Sequence, residues 1–130
     1  MQVSKAQSEA EMRDRLCADM EREVRVQRNL RRSGGYVRVD CLNRDYAIEV
    51  DRSAKWAEAL GQAFLYSEVT NKKLGIILVC YGRERVCLNH ALGLEAVLSR
   101  LKRRATLWRC PQTAHNREAD CVKREFGVLP

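Results

Sequence analysis

The chain has 130 residues, with 24 Lys+Arg against 17 Asp+Glu and a formal net charge of +7. That length suits one domain, and a 45% hydrophobic share beside 32% charged residues excludes wholesale disorder. The longest apolar run, Leu74 to Tyr81, is far short of the ~20 residues of a membrane-spanning helix, and 18 arginines against 6 lysines point to phosphate-bearing partners, nucleic acid first.

Ser4 to Met20 reads as a helix: Met12, Leu16 and Met20 recur every fourth residue, and Ser8-Glu9-Ala10-Glu11 has capping-box spacing. Glu23 to Gln27 alternates as a half-solvated strand does, and Arg28 to Gly35 is a basic loop closed by Ser33-Gly34-Gly35. Tyr36 to Leu42 alternates again, with Val37, Val39 and Cys41 on one face and Arg38 and Asp40 on the other. Asn43-Arg44-Asp45 is a turn, and Tyr46 to Asp51 resumes with Ile48 and Val50 against Glu49 and Asp51. From Ser53 the period becomes helical, with a Trp56, Leu60, Phe64 stripe running to Thr70 and a stop at Asn71. Leu74 to Tyr81 predicts a central strand buried on both faces. Asn89 to Arg104 predicts a second helix, with Leu94, Val97, Leu98 and Leu101 toward the core and a basic end at Arg100, Lys102, Arg103 and Arg104. Ala105 to Cys110 is a last strand. Residues 111–130 read as a polar tail, with Phe126, Val128 and Leu129 as candidates for docking on the domain. The expected fold is α/β in residues 1–110, a hairpin-built mixed sheet flanked by helices in the order αβββαβαβ.

The six cysteines, at 17, 41, 80, 87, 110 and 121, form no CxxC pair. Cys110, His115 and Cys121, with Cys87 and His90, match no common zinc spacing. Burial as small hydrophobes is the simplest reading, and the even count leaves disulfides open. Residues 1–11 carry charges and no apolar stretch, which gives the expectation of a cytoplasmic protein.

The informative region is Tyr36 to Gln62. If Arg44-Asp45 is a two-residue hairpin loop, Asn43 pairs with Tyr46 and Asp40 lies opposite Glu49. Cross-strand partners have Cβ atoms about 4.5–5.5 Å apart, and like charges at that distance repel. A hard divalent cation between them removes the repulsion, and oxygen ligands are what Mg²⁺ prefers. Asp51 shares the face of Glu49. Lys55 and Gln62 lie two turns apart on one face of the next helix, where an ammonium and an amide can orient water or meet charge building on a phosphate.

These residues carry a resemblance. Val37-Arg38-Val39-Asp40-Cys41-Leu42, then Tyr46-Ala47-Ile48-Glu49-Val50-Asp51, then Lys55-Trp56-Ala57-Glu58-Ala59-Leu60-Gly61-Gln62-Ala63 resembles a branch of the PD-(D/E)xK nuclease superfamily, the restriction-endonuclease-like fold. The similarity is to small bacterial single-domain members with an RVDCL…AIE(V/F)D…KWAEAxGQ signature, and it covers Glu23 to about Cys110. It implies Mg²⁺ or Mn²⁺ held by Asp40, Glu49 and the Val50 carbonyl, and a catalytic set of Asp40, Glu49, Asp51, Lys55 and Gln62. Glu9, Glu11 or Glu23 would be the extra acidic residue of the first helix region. One departure stands out: the family's lysine, two positions after Glu49, is Asp51 here, so Lys55 would have to serve from the helix. Several relatives are exported, and their cysteines at positions like Cys17 and Cys41 could pair, which for a cytosolic chain is the minor alternative.

Arg22, Arg25, Arg28, Arg31, Arg32 and Arg38 are the candidate nucleic-acid-binding rim, giving salt-sensitive and mainly sequence-independent affinity. The functional expectation is a metal-dependent nuclease acting on nucleic acid, DNA foremost, with a homodimer as one way for so small a domain to cut both strands. The alternative is a catalytically inactive protein of the same fold that binds nucleic acid or a protein partner. A basic interaction protein that meets an acidic partner is a third class.

Overall fold

The computed structural model describes residues 8–29 and 34–127. Its framework follows from its least polar strand. β4 (Lys73–Cys80) is buried along nearly its whole length and lies parallel to β3 (Tyr46–Arg52) on one side and β5 (Ala105–Pro111) on the other. Parallel pairing needs crossovers, and α2 (Trp56–Thr70) and α3 (Glu84–Leu98) supply them. β1 (Glu21–Gln27) and β2 (Tyr36–Leu42) extend the sheet as an antiparallel meander, giving a six-stranded mixed sheet in the order β1-β2-β3-β4-β5-β6. Alternate residues of β4 serve two cores. Ile77 and Val79 pack with Met12 and Leu16 of α1 (Glu9–Leu16), whereas Ile76 and Leu78 pack with Ala59 and Ala63 of α2 and Leu94 and Leu98 of α3. The molecule is therefore a mixed α/β sheet flanked by helices on both faces.

The hairpin register is the expected one: Cys41 pairs with Ile48 and Leu42 with Ala47. The Asn43 N–H donates to the Tyr46 carbonyl at 3.1 Å, and Asn43 Oδ1 accepts from the Asp45 and Tyr46 amides, so an Asx turn fixes the loop. Ser8 caps α1 by accepting from the Glu11 amide, as its spacing predicts.

Several expectations need correction. Helix α1 ends at Leu16 rather than Met20, although Met20 is still buried, and the expected start at Ser4 lies outside the described residues. The Trp56, Leu60, Phe64 stripe is not the buried face of α2. Ala59, Ala63, Tyr66 and Ser67 are, the three small ones letting the helix approach the sheet. Trp56 instead packs over Gly93 of α3, where an added Cβ would stand 3.1 Å from its ring, and Phe64 carries the Arg103 guanidinium at 4.7 Å. α3 begins five residues earlier than expected and stops at Leu98, so the basic stretch from Arg100 to Arg104 is a connecting segment and not a helix end. Val37 and Val39 pack with Ala47 and Tyr66, while Cys41 joins the α1 core, so the predicted single face of β2 is broken near Asp40.

The C-terminal segment is not a loose tail. Residues 117–126 form α4 (Arg117–Asp120) and β6 (Val122–Phe126), which pairs antiparallel with β5. Phe126 packs against the α2–α3 core, and Val128 and Leu129 lie outside the described residues. The cysteines are not buried thiols: they form the disulfides Cys17–Cys41, Cys80–Cys87 and Cys110–Cys121.

Candidate active site

The β2–β3 ladder stops at the Cys41–Ile48 pair, and beyond it the two strands part. Asp40 occupies the gap. Its Oδ2 accepts the Val50 N–H at 2.8 Å, replacing the backbone acceptor a continued ladder would offer. In extended backbone the N–H and C=O of one residue face the same edge, so the Val50 carbonyl faces the gap as well. On the other side of Asp40 the β1–β2 ladder skips the Glu23–Asp40 pair, and Glu23 takes φ +51°. That left-handed backbone costs a non-glycine residue about 1–2 kcal/mol, and here it coincides with an ion pair from Glu23 Oε1 to Arg13 Nη1 at 2.8 Å.

The parted strands open a cleft of about 330 Å³ lined by Glu9, Ala10, Arg13, Asp40, Glu49, Val50, Asp51 and Lys55. Glu49 is 7% exposed, and its carboxyl lies within hydrogen-bonding reach of Asp40. Burial, then the Asp40 hydrogen bond and charge, then Asp51, push Glu49 up to about 10, so without a cation the Asp40–Glu49 pair keeps a proton at neutral pH. Asp51 is raised to about 6, by burial and then by Glu9, with Lys55 opposing. The Arg52 amide donates to its Oδ1 at 2.9 Å. Glu9, from the first turn of α1, also pairs with Arg52 at 3.2 Å.

Most of the predicted site residues meet in this cleft. Asp40, Glu49, Val50, Asp51 and Lys55 all line it. Of the candidate extra acids, Glu9 lines it, Glu23 stands behind Arg13, and Glu11 is exposed on α1 away from the lining. Gln62 is exposed on α2 and does not line the cleft. The α2 residue that reaches Glu49 is Tyr66, one turn further on, whose hydroxyl donates to Glu49 Oε1 at 3.4 Å. Burial and the carboxylates Glu49, Asp40 and Asp51 raise the Tyr66 phenol, which keeps it a donor. Its place at i+7 from Ala59 was the available signal, and Arg13, three residues before the buried Leu16, gave none.

The arginine rim divides. Arg22 donates to the carbonyls of Cys17 and Met20 at 3.2 Å each, and so closes the end of α1. Arg28 donates to the Gly34 carbonyl at 3.0 Å. Arg25 and Arg38 are exposed and face each other across the β1–β2 ladder, with Arg25 lying 4.6 Å over the Tyr36 ring. Arg31 and Arg32 lie outside the described residues.

Among the described residues no group of three His, Cys, Asp or Glu side chains forms a ready metal cage. The donor set at the gap is two carboxylates and a backbone carbonyl, all oxygen, beside open space for water. That chemistry fits Mg²⁺ or Mn²⁺, which commonly bind through one or two carboxylates and keep several waters. Comparison of the chain with protein-family models, curated proteins and solved structures finds no match.

Proposed function

We propose that the protein is a metal-dependent nuclease with a restriction-endonuclease-like core of the PD-(D/E)xK type, acting on phosphodiester bonds of nucleic acid, DNA foremost. One observation carries the reading: Asp40 and Glu49 meet where β2 and β3 part, in a cleft that Lys55 also lines. Asp40, Glu49 and the Val50 carbonyl would hold Mg²⁺ or Mn²⁺. A divalent cation, when bound, supplies positive charge to a phosphodiester oxygen and makes water a stronger nucleophile. The chain supplies the rest. Lys55 presents an ammonium at the cleft, where it can hold a water by hydrogen bond or offset charge on the phosphate. Asp51 lines the same cleft, and its charge favours that ammonium near the carboxylates. Tyr66 holds Glu49 from behind.

A second reading rests on Asp51 itself. A buried carboxyl stands where the resembled family places its lysine, which favours a catalytically inactive protein of this fold that binds nucleic acid or a protein partner. The three disulfides further support work in an oxidising compartment rather than the cytoplasm expected from the first residues.

Incubation of supercoiled plasmid with the protein, in Mg²⁺, Mn²⁺ or a chelator, separates the readings. The nuclease reading expects metal-dependent nicking that Asp40→Asn and Glu49→Gln each abolish. Nucleic-acid binding with no cleavage in either metal supports the second reading and overturns the first.

A further inference from the structure

The cations that line the acidic cleft are Lys55 and Arg13. Arg13 lies in the middle of α1. Its side chain is 15% exposed. Its Nε donates to Asp14 Oδ1 at 3.1 Å and its Nη1 to Glu23 Oε1 at 2.8 Å. Against the cost of burial, Asp14, Glu23 and Asp40 hold its charge in place. A guanidinium has five N–H donors, and these two bonds use two. These two bonds hold the group in place and leave its other N–H donors without a partner among the described residues.

The chain takes trouble to build this clamp. Glu23 reaches Arg13 from the one residue of β1 with left-handed backbone, at the point where the β1–β2 ladder skips Asp40. Arg13 does more than tie α1 to β1, because it also lines the cleft that holds Glu9, Asp40, Glu49 and Asp51. Glu9, Asp40, Glu49 and Asp51 line the same cleft, so an anionic substrate meets repulsion there unless fixed donors receive it. Planar, pre-oriented guanidinium groups are suited to phosphate oxygens.

We propose that Arg13 is the phosphate-binding arm of this cleft, its guanidinium clamped by Asp14 and Glu23 so that its remaining N–H groups receive a nonbridging oxygen of a nucleic-acid phosphate. The proposal rests on the nuclease-like reading of the cleft and adds its substrate-side residue. Arg13 lies on α1 and Lys55 in the turn after β3, so the cleft receives its two cations from separate elements.

The test uses the full chain with its disulfides intact and a short blunt DNA duplex, read by fluorescence anisotropy in Mn²⁺ with Asp40→Asn as the uncleaving background. Adding Arg13→Gln is expected to weaken DNA binding about tenfold and to lower the salt dependence by about one phosphate contact. Arg13→Lys, which keeps the charge without the fork, is expected to fall between the two. Glu23→Gln, which releases one clamp and keeps Arg13, is expected to weaken binding in the same direction but less. Phosphate contact, unlike a purely structural role, moves the salt slope, and thermal unfolding of each variant is followed alongside. If Arg13→Gln loses its fold, Arg13→Lys and Glu23→Gln decide by the same two readouts. Arg13 variants that bind DNA like their parent, with wild-type cleavage intact, overturn this proposal and leave the nuclease reading standing. A wild-type protein that neither binds nor cuts nucleic acid overturns both.

Discussion

Glu49→Gln is expected to stabilise the metal-free protein. Glu49 is buried against Asp40 and near Asp51, and the folded chain holds its proton up to about pH 10, whereas the unfolded chain releases it near 4.5. A carboxyl raised in this way contributes stability that is full below pH 4.5 and is lost as pH rises toward 10. The loss is about 1.4 kcal/mol per pH unit across that window, so at pH 7 the wild type has forfeited about 3 kcal/mol. A glutamine at 49 carries no proton to hold, and its amide can donate to the Asp40 carboxylate. Urea unfolding of both proteins in chelator, from pH 5 to pH 8, measures the difference directly. Asp51, raised to about 6, adds a slope of the same sign only at the acid end, and it is present in both proteins. Asp19, lowered by its hydrogen bond to Arg117, acts below this window. The expected result is a gap between variant and wild type that widens with pH and reaches about 3 kcal/mol near pH 7. A gap that does not change with pH, or a variant less stable than wild type at pH 7, would refute the account of a carboxyl kept neutral by burial and its neighbours.

Three further outcomes are expected. Tyr66→Phe removes the hydroxyl behind Glu49; its unfolding free energy should change by about 1 kcal/mol or less, while calorimetry should show Mn²⁺ binding weakened about tenfold. Gly75→Ala sets a Cβ 2.7 Å from Ile48 Cγ1 at the β3–β4 pair, and urea unfolding should show a loss of about 1–3 kcal/mol from overpacking. Replacing Cys17 and Cys41 together by alanine opens a loop spanning a sequence separation of 24; the expected loss is about 3 kcal/mol by the chain-entropy argument, measured by denaturant unfolding.

The parts of the fold that could be read early are those where one strong signal decides. The apolar run of β4 admits little but a central strand. The hairpin register followed from Asn43, whose side chain closes the turn, and from the alternation on either side. That register correctly brought Asp40 and Glu49 together, although it gave no hint that the ladder would end just short of them. The break depends on the Asp40 side chain capturing the Val50 amide, a contact no periodicity encodes. α3 begins at Glu84 with no side-chain cap at Arg83, so its start carries no marker. β6 is an exposed edge strand of mostly charged residues, held by pairing to β5 and by the Cys110–Cys121 bridge beside it. Its sequence looks like a solvated tail because its inward contacts are few. Gln62 shows the opposite failure: Lys55 ends the short 3-10 turn Ser53–Lys55 that precedes α2, so the two do not share one helix as the spacing suggested, and it is Tyr66 of α2 that meets Glu49.

The parting of β2 and β3 also orders events in time. Asp40 and Glu49 are joined by a single short turn, and a hairpin of that kind closes in about 1–10 μs. The carboxylate pair therefore belongs to the most local contact of the sheet. Lys55 sits in the short turn directly after β3, but Tyr66 arrives only when α2 docks on β3 and β4, and that pairing must first close the long crossover between parallel strands. Two acids can thus face each other before the groups that balance them are in position, and protonation of the pair, or capture of a cation by it, can begin while the rest of the chain is still finding its place.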